Sequence, residues 1–253
     1  MLEYNGLRNL DELRGNTLKA EDGEIGRCKD FLFDDQFWAV RHVVADTDKW
    51  LPGRKILISP LGLKSPDRES DRIPIDMTKR QIEDSPGLEP DEPISRKHEV
   101  GLCRHYGWPF YWIGGKAWGT MDLPDRPQGE PGPELDPREA GSENHHLRSV
   151  DEMMGTRIRA MDYEIGPVDG LIVDEESWII RYWVVDTNNW LPGKKVLISP
   201  NWAEDVNWSK RQVIVDLPRE QVKNSPEYDP LAMVDRDYEM RLYHHYHRTR
   251  YWL

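Results

Sequence analysis

The sequence predicts a mainly β protein built of two small tandem β-barrels, each followed by short helices. Three observations carry that expectation. The 253 residues suit two small domains better than one large one. The segment WLPGRKILISP at 50–60 recurs as WLPGKKVLISP at 190–200, and this offset of 140 runs without a gap from Met1–Trp112 onto Gly141–Trp252, with 38 of 112 paired positions identical. Self-similarity at one fixed offset marks a duplicated unit. Within each copy, runs rich in β-branched and aromatic residues come first and helix-start signals come last.

Taken in order, repeat 1 covers 1–112, a linker 113–142, and repeat 2 143–253. GEIGRCKDFLFDD (23–35) follows an Asp-Gly turn signal. WAVRHVVAD (38–46) and its counterpart WIIRYWVVD (178–186) are apolar on both alternating faces: Trp178, Ile180, Tyr182 and Val184 on one, Ile179, Trp183 and Val185 on the other. That pattern fits a barrel strand whose outer face is also covered, with the other repeat as the expected cover. A loop with Pro and Gly (DTDKWLPG or DTNNWLPG) leads into RKILISP, and IPIDM (73–77) matches VIVDL (213–217). Thr78 with Gln81 has capping-box spacing, Pro218 suits a first helical turn, and the helix stops before Ser85-Pro86 or Ser225-Pro226. Ser95 and Asp235 are N-caps of a second helix. On it Glu99, Leu102, His105 and Tyr106, like Glu239, Leu242, His245 and Tyr246, share an arc of about 120° that docks the helix on its barrel. Between the copies, 121–143 holds five Pro, three Gly and seven acids against two Arg, the composition of a linker that lets the halves pack together or separate.

Composition narrows the function. The formal charge of −12 opposes binding to phosphate backbones, so nucleic acid is not expected as a partner. No run approaches the ~20 apolar residues of a bilayer span, and the N-terminal residues lack a secretory pattern, so no membrane insertion and a cytoplasmic location are expected. Cys28 and Cys103 cannot build a disulfide framework; they align with Val168 and Tyr243 and read as core thiols.

Asp-Gly-Glu-Ile-Gly at 22–26, the strands ending at Asp34 and Asp46 with Trp38 and Arg41, and Trp-Leu-Pro-Gly before Ile-Leu-Ile-Ser-Pro resemble the PRC-barrel family. That family includes the cytoplasmic domain of the photosynthetic reaction-centre H subunit and the C-terminal domain of the RimM ribosome-maturation factor. The resemblance covers both copies. It implies a mostly antiparallel PRC-type barrel per copy, used for protein contacts and without a catalytic centre. The chain is similar to tandem bacterial proteins of this family for which a stress-related role is expected.

Among polar candidates, Asp46 and Asp186 end a strand and open the loop carrying Trp50, Pro52 and Gly53, or Trp190, Pro192 and Gly193; an Asx-type structural role is expected of them. Arg41 and Arg181, mid-strand among apolar neighbours, need a carboxylate from Asp34/Asp174 or Asp46/Asp186. The weak metal or pH-sensing candidates are His244, His245 and His247, against a solvated or packing role; of these only His245 has a repeated partner, His105. His145 and His146 form a smaller pair. Gly114-Gly115-Lys116 lacks the frame of a phosphate loop. Where the copies differ, Trp202 and Trp208 replace Gly62 and Arg68 in a loop expected to be exposed, and Trp108 and Phe110 become Arg248 and Arg250. These four aromatics are candidate partner-binding residues, against packing within the protein. The expected function is a non-catalytic interaction or scaffold module that binds another protein, without a cofactor, with repeat–repeat packing or homo-oligomerisation. The alternatives are a soluble accessory to photosynthetic or quinone-linked electron transfer, and a metal or pH sensor.

Overall fold

A computed structural model describes residues 6–47, 50–65, 70–89, 93–125, 146–188 and 190–253. Repeat 1 forms β1 (Leu7–Asn9), β2 (Thr17–Ala20), β3 (Gly23–Asp34), β4 (Val40–Asp46), β5 (Ile56–Ile58), β6 (Arg72–Pro74), α1 (Lys79–Glu83) and α2 (Arg96–Tyr106). Repeat 2 forms β7 (Leu147–Ser149), α3 (Val150–Met153), β8 (Arg157–Arg159), β9 (Glu164–Asp174), β10 (Ile180–Asp186), β11 (Lys195–Ile198), β12 (Ala203–Asn207), β13 (Gln212–Val215), α4 (Arg219–Lys223) and α5 (Arg236–His245). Among the described residues no helix is long and apolar enough to cross a membrane.

The chain divides into two compact units whose limits differ from those of the repeats. The first unit holds Glu12–Ser149 and Glu176–Ile179; the second holds Met1–Asp11, Val150–Glu175 and Ile180–Leu253. In the first unit the strand order is β5-β4-β3-β2-β6, with β7 added to β3; in the second it is β11-β10-β9-β8-β13-β12, with β1 added to β9. Both sheets are mixed, because β2 pairs β6 and β8 pairs β13 in parallel. Among the described residues neither sheet closes into a barrel: the protein is mainly β as expected, but with two open, mixed sheets in place of closed antiparallel barrels. A Ser-Pro step ends β5 and β11: Pro60 and Pro200 open one 3-10 turn each, capped by Ser59 Oγ accepting from the Leu61 amide and Ser199 Oγ from the Asn201 amide.

The first strand of each repeat completes the sheet of the other repeat's unit. β1 pairs with β9 as Leu7↔Asp174, Arg8↔Val173 and Asn9↔Ile172. β7 pairs with β3 as Leu147↔Asp34, Arg148↔Phe33 and Ser149↔Leu32, the same register under the offset of 140. Each exchange carries its own ion pair, Arg8–Glu175 at 3.3 Å and Arg148–Asp35 at 3.2 Å. Residues 1–112 and 143–253 are thus repeats of sequence, while the folded units trade their leading strands. The start of the expected linker is also part of the first unit: Trp118 is buried, and its Nε1–H donates to the Ser177 carbonyl at 2.7 Å. Residues 126–142 of that linker lie outside the described residues, as do His145 and Arg68.

Helix starts follow the sequence. Thr78 and Gln81 form a capping box on α1, Ser95 Oγ accepts from the His98 amide on α2, and Asp235 accepts from the Tyr238 amide on α5. β4 is buried from Val40 to Ala45 on both faces. Its cover includes the repeat's own helix: Val44, Leu57, Leu88 and Leu102 form one cluster, with Leu32, Ile94 and Tyr106 packed against it.

Candidate functional site

Three of the four aromatic partner candidates are core residues. Trp202 lies edge-on to Tyr243 at 5.5 Å and against Tyr246 at 4.8 Å; Trp108 stacks on Tyr106 at 4.3 Å and Phe110 on Trp112 at 5.0 Å, all three buried. Trp208 is half-buried in the turn after β12. The expected exposed loop is corrected by a compensated exchange. A Cβ on Gly62 would stand 3.0 Å from the Trp108 ring, so repeat 1 fills one core slot from position 108. Repeat 2 has Arg248 there, and Trp202, at the position of Gly62, supplies the aromatic ring instead.

The histidine candidates are not gathered into a ligand set. His245 Nε2 lies 2.7 Å from the Gln221 carbonyl, as His105 Nε2 does from the Gln81 carbonyl. A carbonyl only accepts, so Nε2 carries the proton and is committed to a carbonyl in the last turn of α4 or α1. The rings of His244 and His247 are 6.4 Å apart. Among the described residues no group of three His, Cys, Asp or Glu side chains is placed to hold a metal ion. Burial pushes both the Cys28 and the Cys103 thiol up to about 12, which removes them as nucleophiles near neutral pH.

The repeated polar residues form buried networks. In β4 the register passes from Leu32↔His42 to Phe33↔Val40, leaving Arg41 as the extra residue of a bulge; Arg181 is the extra residue between Ile172↔Tyr182 and Val173↔Ile180. A bulge re-aims a side chain, here bringing Arg41 and His42 into one cluster under α2. Arg41 pairs with Asp34, and its guanidinium lies 4.0 Å from the centre of the Tyr111 ring and 4.7 Å from that of Trp118. Glu99, fully buried on α2, receives Arg96 Nη1 at 3.0 Å and the Tyr111 hydroxyl at 2.6 Å, with His42 Nε2 at 3.3 Å. Burial alone would push the Glu99 carboxyl up, but the hydrogen bond and charge of His42, then Arg96 and Tyr111, hold it below its ordinary value. In the second unit Glu239 receives Tyr182 at 2.6 Å, Arg236 at 2.9 Å and Tyr251 at 2.9 Å, while Arg181 pairs with Asp174 at 2.7 Å. Glu99 and Glu239, expected to help dock their helices, prove to be centres of ionic cores.

The Asp-Trp-Pro-Gly loop shapes a cleft. Thr47 and Thr187 carbonyls accept from the Trp50 and Trp190 amides at 2.7 and 3.0 Å, and Gly53 and Gly193 take φ of 75° and 81°, which favours glycine. Asp186 accepts from the Asn188 amide at 2.8 Å, an Asx turn; Pro52 and Pro192 are exposed. Beneath the loop, β3 and β9 cross so close that a Cβ on Gly26 would stand 1.9 Å from the Asp46 carbonyl, and one on Gly166 1.8 Å from that of Asp186. In the first unit this crossing leaves a cleft of about 420 Å³ lined by Thr17, Glu24, Ile25, Gly26, Arg27, Asp46, Thr47 and Trp50. Neither a family model nor a curated protein matches this chain.

The corresponding place in the second unit is furnished differently. There Trp190 Nε1–H donates to the Ile165 carbonyl at 2.6 Å, and Tyr163 stands edge-on to the indole at 6.1 Å. Arg219 lies over both rings, 3.8 Å from the centre of Tyr163 and 4.7 Å from that of Trp190. The counterparts in the first unit are Gly23, Trp50 and Lys79, whose Nζ is 4.8 Å from the Trp50 ring centre.

Proposed function

We propose that the protein is a non-catalytic interaction module of PRC-barrel type, and that repeat 1 contacts its partner through the Trp50 cleft. The observation that carries this reading is the difference between the copies: Trp50 walls an open cleft and has a glycine at the position of Tyr163, whereas Trp190 has the Tyr163 ring beside it. Further support comes from the repeated ionisable residues, whose contacts are those of a scaffold: Arg41 with Asp34, Glu99 with Arg96 and Tyr111, and their counterparts. Trp is a favoured anchor of protein contacts, and Trp50 is half-buried at the cleft wall.

Proximity labelling in the native host, comparing the intact protein with its Trp50→Ala variant at equal abundance, tests the reading. A set of neighbouring proteins that falls away in the variant is the expected result. Identical neighbours for both forms would remove the cleft as the contact surface.

A further inference from the structure

The second unit displays the chemistry that fits beside this tryptophan. Beside Trp190 stand one aromatic ring, Tyr163, and one cation, Arg219, which lies over the two rings. In the first unit the cation is retained as Lys79, 4.8 Å from the Trp50 ring centre, but the ring is missing because position 23 is glycine. A Cβ at Gly23 would meet only Lys79 Cδ, at 3.5 Å, an ordinary contact, so the Lys79 chain alone borders the point where a side chain would begin. Among the described residues no hydrogen bond from Trp50 to the Ile25 carbonyl matches the bond from Trp190 to Ile165.

We infer that the side of Trp50 next to Gly23 and Lys79, adjoining the cleft, receives the aromatic side chain, tyrosyl or phenylalanyl, of a partner protein, in the place that Tyr163 holds in the second unit. The inserted ring stands edge-on to the Trp50 indole and under the Lys79 ammonium, the arrangement that ring quadrupoles favour. The inference rests on the interaction reading above and adds to it the identity of the docking group. The cleft's rim carries Glu24, Asp46 and Arg27, so polar groups of the partner backbone meet polar groups around the ring.

The test uses the intact chain and three probes: N-acetyl-tyrosinamide, N-acetyl-phenylalaninamide and N-acetyl-leucinamide. The readout is the Trp50 indole N–H signal in ¹⁵N-resolved NMR spectra, assigned with Trp50→Phe. Both aromatic amides are expected to shift that signal saturably with a dissociation constant of the order of 1 mM, as suits so small a ligand, and the leucine amide to leave it in place. Two variants are expected to weaken aromatic binding at least tenfold: Gly23→Tyr, which supplies the ring from within, and Trp50→Ala. Gly23 sits at φ 152°, where a side chain is strained, so Trp50→Ala serves if the first variant does not fold. In that variant binding is followed by saturation transfer to the amides. An unshifted indole signal, an equal response to the leucine amide, or binding that persists in Trp50→Ala would overturn the inference. If labelled neighbours still depend on Trp50 while the amides fail to bind, the interaction reading stands and the aromatic occupant falls; if neither depends on Trp50, both fall.

Discussion

Replacing Glu99 by alanine is expected to be among the most damaging single changes in the first unit. Its carboxylate is fully buried and shared by Arg96, Tyr111 and His42. Removing one member of a buried ionic cluster leaves the others desolvated without a partner, at a cost of about 3–5 kcal/mol. With a urea dependence of about 2 kcal/mol per molar, the unfolding midpoint of this unit falls by about 1.5–2.5 M. The charge is tested separately with Glu99→Gln. The folded-state carboxyl lies below its ordinary value, so ionised Glu99 contributes stability that is fully present above the unfolded-state pKa and is lost as pH falls through the folded one. The gap between the parent and Glu99→Gln, measured by urea unfolding from pH 7 downwards, therefore narrows below about pH 4. A Glu99→Ala midpoint within 0.3 M of the parent, or a gap to Glu99→Gln that stays constant to pH 3, would refute the account of the network; these thresholds are roughly the resolution of such extrapolations.

Further outcomes follow from other contacts. Gly26→Ala, with its Cβ 1.9 Å from the Asp46 carbonyl, is expected to prevent folding of the first unit, whereas Gly15→Ala, which meets nothing within 4 Å at φ 82°, costs about 1 kcal/mol by thermal unfolding. Removing residues 1–11 is expected to speed amide exchange at Ile172–Asp174, in the other repeat, because β1 covers that edge; unchanged protection there would contradict the exchanged pairing. Cys28 and Cys103, with thiols raised to about 12, are expected to react with a disulfide reagent at pH 8 only after unfolding; rapid labelling of the native protein would contradict their place in the core.

What the sequence made legible was whatever depends on neighbours along the chain or on the offset of 140. Thr78 and Gln81, Ser95 and Asp235 cap the helices they were expected to cap, and Arg41 and Arg181 find the carboxylates of Asp34 and Asp174, seven positions away. The ionic core was only half visible, since Glu99 meets Tyr111 on a segment beyond its own helix and His42 on a strand 57 residues earlier. Trp202 was misplaced because Gly62 and Trp108 fill one slot jointly, a substitution pair that single positions do not reveal. The Ser-Pro steps end β5 and β11 as punctuation rules mark, but that each sheet stays open depends on strand pairings that local sequence does not carry.

The traded strands were invisible for a physical reason. Leu-Arg-Asn and Leu-Arg-Ser differ in one side chain, and three residues carry no period from which to choose a sheet. Their consequence falls on biosynthesis. The sheet that starts with Thr17 lacks its edge until Leu147–Ser149 has been made, and Ala39 awaits its bridge to Ile179. At about 5–20 residues per second, the ribosome holds the N-terminal half unfinished for several seconds. Its last hydrogen bonds form only as the C-terminal half emerges, so neither half matures as an autonomous nascent domain.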